Sequence, residues 1–380
     1  MTETEVVIAH DYSTQRGGAE RVALVLTRMY PGTRFMTALY DPAASYPGYS
    51  AVDVRPSLLN RVRTFRRNPQ LALPVLHYAW TLRRPVSAAA VLVSSSGWAH
   101  AVRVSQETVK VVYCHNPPRW IYQTDEYLIE RSLWVRLALG ALRPVLFRWD
   151  QRAAKSVDRY IANSASVAAR IKTAYGIDAQ IIHPPVTIDP SAWQTRPGGV
   201  PDGFFLTVGR QRGYKGTANL IAAFEEMPHE NLVVVGGRRE DSSRNVFVIN
   251  DVAEAELRWL YDRATALLSV SKEDFGLTPI EANSFGTPAL LVKAGGFLDS
   301  LDEGTSGLFI EDTSIRGIVN SVETFPRHWD SAKIRAHAAR FSFEEFERKL
   351  KQVVTDTVEN LADPEHIGED TAYAKRNIVD

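Results

Sequence analysis

Two carboxylates, Glu273 and Glu281, stand seven residues apart in the stretch Ser271–Ala282 and bracket Phe275, Gly276 and Leu277. The apolar run Ala266–Val270 before them reads as a buried parallel strand, and Thr278–Ser284 reads as the start of a helix. The first carboxylate then lies in a strand-to-helix turn, and the second lies one or two turns into the helix. In an open α/β sheet such turns face the crevice at the carboxyl ends of the strands, where ligands bind. Gly276 leaves the backbone uncovered, so the amides at the helix start can approach an anion. Two acids beside an anion-binding turn suit a ligand that carries both hydroxyls and phosphates, and a sugar nucleotide is one.

Three further segments hold candidate groups. His10–Glu20 follows an apolar run and opens a helical one, and its paired Gly17 and Gly18 would let the backbone approach a phosphate at the helix N-terminus. The alternatives are a tight turn without a ligand and, for Glu20, a simple first-turn helix carboxylate. The G-x-G-x-x-G fingerprint of nicotinamide enzymes is absent. Gly209–Gly216 carries Arg210 and Lys215, whose fixed positive charge would stabilise a departing diphosphate, while Arg212 reads as solvated. The plainer reading is loop charge without a ligand. His115 ends an apolar run, with Asn116, Pro117 and Pro118 stopping the strand after it. A lone histidine is ordinarily a packed or surface residue, but the tip of a crevice-facing strand favours a site. Cys114 reads as a small buried hydrophobe. No Asp-x-Asp pair and no clustered His/Cys set occurs. No metal and no cofactor is therefore expected, and leaving-group charge falls to Arg210, Lys215 and helix dipoles.

The elements that must position these groups alternate along all 380 residues, a length that implies two domains. Val6–Ala9, Ala90–Ser94, Val109–Cys114 and Arg159–Ala162 read as strands, with a helix over Ala19–Tyr30. Prolines and glycines then mark a linker, and the alternation restarts at Phe204–Val208, Asn231–Val235, Val246–Ile249, Ala266–Val270 and Pro288–Val292. The expected fold class is α/β, with two Rossmann-like doubly wound domains facing across a cleft. They span residues 1–186 and 204–342, joined by a linker over 187–203. A terminal helix over Phe343–Leu361 leads into a polar tail. No run of about 18 apolar residues suggests a spanning helix. The acidic Met1–His10 has the wrong flank for a signal peptide, and the single cysteine excludes an internal disulfide. Both agree with a cytoplasmic protein.

The formal net charge of zero conceals an asymmetry, with 23 Lys+Arg against 13 Asp+Glu through Val186 and 21 against 31 beyond it. The excess gathers in Arg55–Arg84 and Arg131–Arg152, where arginines alternate with leucines and aromatics. Such stretches suit an anionic membrane surface, or they are ordinary surface helices packing inward. No recognition motif accompanies the charge, so nucleic acid is not an expected partner.

Together Gly17–Gly18, His115, Arg210 with Lys215, and the frame Glu273–Asp–Phe–Gly–Leu–Thr–Pro–Ile–Glu281–Ala resemble the retaining family 4 glycosyltransferases of the GT-B fold. The match runs in order across nearly the whole chain. Tyr113–Trp120, Ile161–Ser164 and His183–Val186 further resemble the bacterial mannosyltransferase-like branch that builds O-antigens and exopolysaccharides. The resemblance implies that Glu281 binds the ribose hydroxyls and Glu273 the donor sugar. By the same resemblance, the backbone at Phe275, Gly276 and Leu277 holds sugar and phosphate. Arg210 and Lys215 would hold the diphosphate, Gly17 and Gly18 would line it from the other domain, and His115 would contact the transferred sugar. The last helix, within about 343–380, would pack back on the first domain.

Asp274, Thr187 and Asp299 depart mildly from the common pattern, which leaves the reaction class intact and the sugar open. The implied function is metal-independent, retaining transfer of a hexose from a nucleotide diphosphate sugar, with GDP-mannose favoured over UDP-sugars. The acceptor would be a carbohydrate or a polyprenyl-linked glycan in bacterial cell-surface polysaccharide or glycolipid synthesis. Same-face attack and closure of the two halves over the donor would follow. Peripheral contact with an anionic membrane would place the protein at the inner face of the plasma membrane. The other readings are an epimerase or phosphorylase on the same fold, and a non-catalytic sugar-nucleotide-binding subunit of an assembly complex. The nucleotide base would be read by backbone groups over Phe247–Val252, which side-chain identity does not report.

Overall fold

Continuous aliphatic runs in this chain become parallel strands buried on both faces, as expected when helices cover a sheet above and below. The computed structural model describes residues 5–124, 133–209 and 216–362. They form two compact units, one from Met1–His183 with Glu347–Asp380 and the other from Pro184–Phe346.

The first unit is built on strands β1 (Val6–Ser13), β2 (Arg34–Tyr40), β3 (Asp53–Pro56), β4 (Ala90–Ser95), β5 (Val109–Cys114), β6 (Arg159–Ala162) and β7 (Gln180–Ile181). They pair in parallel in the order β3-β2-β1-β4-β5-β6-β7. Every residue of β4 and β5 is buried. The first strand is longer than its aliphatic run. Pairing with β2 continues to Ser13 opposite Tyr40, so His10 and Asp11 lie inside the strand rather than after it. The helix that follows spans Gly18–Met29.

The second unit repeats the plan with β8 (Phe204–Val208), β9 (Asn231–Val235), β10 (Val246–Ile249), β11 (Ala266–Ser269), β12 (Ala289–Val292) and β13 (Gly307–Ile310). Their order is β10-β9-β8-β11-β12-β13, again parallel throughout. Counted from its own first strand, each sheet runs 3-2-1-4-5-6, the doubly wound order, and the first adds a seventh strand, β7, at its edge. The order reverses between β1 and β4 in one unit and between β8 and β11 in the other, and ligands bind beside such a reversal, at the carboxyl ends of the strands.

Residues 187–203 are not a free linker. Ile188 and Val200 are buried with Phe204, Leu260 and Tyr261 in the core of the second unit. Arg258 donates to the Trp193 carbonyl, and the Arg196 guanidinium lies 5.1 Å from the Trp259 ring. The proline- and glycine-rich segment is thus a strap on the helix Glu254–Arg263. The helix Phe343–Ala362 buries Leu350, Val353 and Val354. From Glu347 onward it belongs to the first unit, where Lys351 Nζ lies 5.5 Å from the Tyr30 ring. Burial, helped by Glu347, pushes the Tyr30 hydroxyl up to about 12. The polar tail beyond residue 362 lies outside the described residues. Among those described, no helix is long and apolar enough to cross a membrane.

Candidate functional site

At the reversal of the second sheet, β11 ends at Ser269 and the helix Leu277–Ser284 begins eight residues later, with Gly276 as its N-cap. Gly276 has φ +85°, and a Cβ there would lie 2.4 Å from the Phe297 ring, so only glycine fits. Glu273 sits in this turn, partly exposed, and Ser271 Oγ donates to its Oε1 at 3.1 Å. A second glycine pair closes over the turn from the end of β12. Gly296 donates to the Glu273 carbonyl at 2.8 Å, and a Cβ on Gly295 would lie 2.5 Å from that same oxygen. Sequence reasoning left this contact unread, although Gly295–Gly296 was its visible signal.

Phe275 and Leu277 turn their side chains to structure: Phe275 is buried with Ile280 and Phe341, and Leu277 packs against them. Their backbone remains at the helix start, where the first amides lack intrahelical acceptors. Glu281 is 3 % exposed on the inner side of that helix, and the buried Tyr261 hydroxyl donates to its Oε2 at 2.9 Å. A buried polar group needs such a hydrogen-bond partner. Nothing in the sequence singled out Tyr261, which reads as one apolar position of its helix.

Arg210 and Lys215, with Arg212, lie outside the described residues. Their described neighbours on either side are Gly209 and Gly216. Gly209 donates to the Val235 carbonyl, and Gly216 has φ +66° with its missing Cβ 2.6 Å from Val270 Cγ2. Gly216 therefore stands beside the start of the Glu273 turn.

At the reversal of the first sheet, His10 on β1 stands opposite Ser94 on β4. His10 Nδ1 lies 3.1 Å from both the carbonyl and the hydroxyl of Ser94, and the hydroxyl is 2.7 Å from His115 Nε2. His115 follows β5 directly and is buried. Burial, reinforced by His10, lowers it to about 3, so its imidazole is neutral at ordinary pH. Asn163 donates to the His115 carbonyl, and His183 Nδ1 lies 3.1 Å from the Asn163 carbonyl. Asp11 accepts from the amides of Ser96 and Ala99 at 2.6 and 2.7 Å and so fixes the loop leaving β4.

Gly17 caps the helix Gly18–Met29 in extended backbone, φ −126°, which rules out a left-handed turn as its reason. Glu20, in the first helical turn, is buried and accepts from Gln15 at 2.6 Å. The first unit thus gathers His115, Ser94 and His10 on one edge, with Gly17 and Gly18 following β1. The second gathers Glu273, Gly276 and Glu281 on another.

Two doubly wound units, each with polar groups at its strand-order reversal, define the class: proteins of the GT-B fold. Residues 16–190 match the family described as Glycosyltransferase Family 4, and residues 199–341 match Glycosyl transferases group 1. The chain belongs to the family 4 glycosyltransferases. It is 25% identical over 258 residues to a D-inositol 3-phosphate glycosyltransferase 2 of Catenulispora acidiphila, covering 56% of this chain and 59% of that one. The corresponding enzyme of Mycobacterium bovis is 25% identical over 234 residues, 51% of this chain and 48% of that one. The chain thus spans about half the length of the curated relatives it matches. Anabaena HepE, solved with UDP and glucose, shares the fold at a TM-score of 0.66 and 16% identity, over 93% of this chain and 100% of that one.

Proposed function

We propose that this chain is a retaining, metal-independent glycosyltransferase that moves a hexose from a nucleotide diphosphate sugar to a carbohydrate or polyprenyl-linked acceptor. The observation that carries this reading is the buried Glu281 carboxylate, held by Tyr261 on the helix that begins at the Gly276 turn, with Glu273 in that turn. A carboxylate fixed at a helix that opens toward an anion site can accept from ribose hydroxyls while the helix start meets phosphate. Glu273 and His115 take the sugar, and Arg210 and Lys215 take the diphosphate. The backbone of Gly17 and Gly18 serves the same diphosphate. In the reaction the acceptor oxygen bonds to the anomeric carbon as the bond to the diphosphate breaks. The acceptor proton leaves on the departing phosphate.

GDP-mannose is the first donor to test and UDP-glucose the second. Bacterial cell-surface polysaccharide or glycolipid assembly is the setting. Metal independence is supported by the absence of Asp-x-Asp in the sequence. The test is product formation from a panel of nucleotide sugars and acceptors, with the anomeric configuration read by NMR and the rate compared with and without EDTA. Inversion, or loss of activity in EDTA that divalent metal restores, would contradict the reading. So would turnover without an acceptor, or with inorganic phosphate alone.

The same reading places the protein at the inner face of the plasma membrane. No acidic residue occurs between Asp53 and Glu107. Within that stretch Leu58, Val62, Leu71, Tyr78 and Leu82 are exposed beside the exposed Arg61, Arg63, Arg67 and Arg84. Packing of His77 against Trp149, 5.2 Å apart, brings in the second basic stretch, with its exposed Val145 and Phe147. Such a surface suits anionic lipid. Co-sedimentation with phosphatidylglycerol vesicles should be strong at low salt, weak at high salt and absent with phosphatidylcholine. Failure to sediment at low salt would refute the placement.

A further inference from the structure

His10, Ser94 and His115 form one hydrogen-bonded row along the carboxyl edge of β1, β4 and β5. Its geometry settles where the protons sit. A carbonyl oxygen only accepts, so His10 Nδ1, 3.1 Å from the Ser94 carbonyl, carries a hydrogen and donates it there. The same N–H lies 3.1 Å from the Ser94 hydroxyl, which therefore cannot point its own hydrogen at His10. Among the described residues that single hydrogen has one remaining acceptor, His115 Nε2 at 2.7 Å. Were Nε2 protonated instead, the hydroxyl would face two N–H groups. Its own hydrogen would be stranded in a site where Ser94 has no exposure, a costly arrangement. A neutral imidazole that accepts at Nε2 holds its hydrogen at Nδ1.

We infer that Ser94 is a positioning residue that locks His115 as the Nδ1–H tautomer, so that His115 meets its ligand as a neutral hydrogen-bond donor rather than as a base or a cation. Nδ1 is the remaining ring nitrogen and has no hydrogen-bond partner among the described residues. The ligand atom it selects is a lone-pair oxygen, such as a sugar hydroxyl. Burial of His115 agrees with this, since the ring stays neutral well below pH 6. His10 anchors the row, and its own buried Nε2 has no hydrogen-bond partner among the described residues. The inference rests on the proposed contact between His115 and the transferred sugar, but the tautomer can be measured apart from it.

The experiment is long-range 1H–15N correlation on protein labelled with 15N-histidine, with His115 assigned by its loss in His115→Gln. The expected spectrum shows a protonated Nδ1 and an unprotonated Nε2 for His115, unchanged between pH 8 and pH 5. An Nε2–H form, or an imidazolium at pH 7, overturns the inference whatever the activity. Ser94→Ala should mix the tautomers and lower kcat/KM by about 10-fold, the scale of one lost hydrogen bond. Ser94→Thr, which keeps the hydroxyl, should restore the wild-type spectrum. A Ser94→Ala protein with the wild-type spectrum and full turnover also overturns it. Should Ser94→Ala not fold, the wild-type spectrum alone decides. Full activity in His115→Gln would instead overturn the sugar contact and leave the tautomer assignment standing, so the two failures are distinguishable.

Discussion

Between β1 and β4 the first sheet offers His10, Ser94 and, one strand further, His115, joined by hydrogen bonds. Between β8 and β11 the second offers the Glu273 turn, with Glu281 on the helix after it and Gly216 against Val270 at the start of the turn. The order of the first six strands is the same in both. What differs is the chemistry at the carboxyl edge: imidazole and hydroxyl in one unit, carboxylates in the other. Topology therefore fixes where a ligand can bind, and a handful of side chains on that edge decide which part of a ligand belongs there. Carboxylates that can accept from hydroxyls, beside a helix start that can meet phosphate, suit the donor nucleotide. A neutral row of donors and acceptors suits a sugar.

That contrast can be broken from either side. The largest effect is expected at Lys215, where Lys215→Ala should lower turnover by about 10²-fold, the scale for one preorganised charge contact. Near-normal rate on the true substrates would remove Lys215 from the proposed donor site. Gly276→Ala combines a left-handed φ with a Cβ inside the Phe297 ring, so it should cost about 2 kcal/mol or more of stability and loosen donor binding. A melting temperature equal to wild type would show that the turn tolerates a side chain.

The neutral side is sharpened by pH. His115 takes no proton in the fold until about pH 3, whereas the unfolded chain binds one below about 6.5. Stability must then fall as pH drops from about 6.5, by about 2 kcal/mol at pH 5 from this group alone. Denaturant titrations of wild type and His115→Gln between pH 7 and pH 5 should show the shallower slope in the variant. Equal slopes would contradict the neutral assignment. The smallest effect belongs to Tyr261→Phe, which removes one bond to Glu281 and should weaken donor binding about 10-fold with little change in turnover at saturating donor.

Much of this was legible in the sequence, for identifiable reasons. Val6–Ala9, Val109–Cys114 and Phe204–Val208 announce themselves because strands buried on both faces must be continuously aliphatic. β2, β3 and β13 escaped because Arg34–Tyr40, Asp53–Pro56 and Gly307–Ile310 interrupt that pattern with polar residues, proline or glycine. The strap over 187–203 was hidden because prolines and glycines mark irregular backbone, not whether that backbone is packed. In the site, Glu273, Gly276 and Glu281 stand at a spacing that one strand-turn-helix unit explains. Tyr261 and Ser94 act through neighbours distant in sequence, Glu281 and His115, and only strand register and helix packing bring those pairs together.

The most direct test of the donor-holding role of the second unit is calorimetric titration of the protein with nucleotide diphosphate sugars, run beside the Glu281→Gln variant. GDP-mannose or a UDP-sugar should bind wild type and lose about 10-fold or more in affinity to the variant, since a carboxylate accepting from ribose hydroxyls is replaced by a neutral amide. Equal affinity in wild type and Glu281→Gln for a donor that is turned over would contradict the assignment of that turn and helix to the nucleotide.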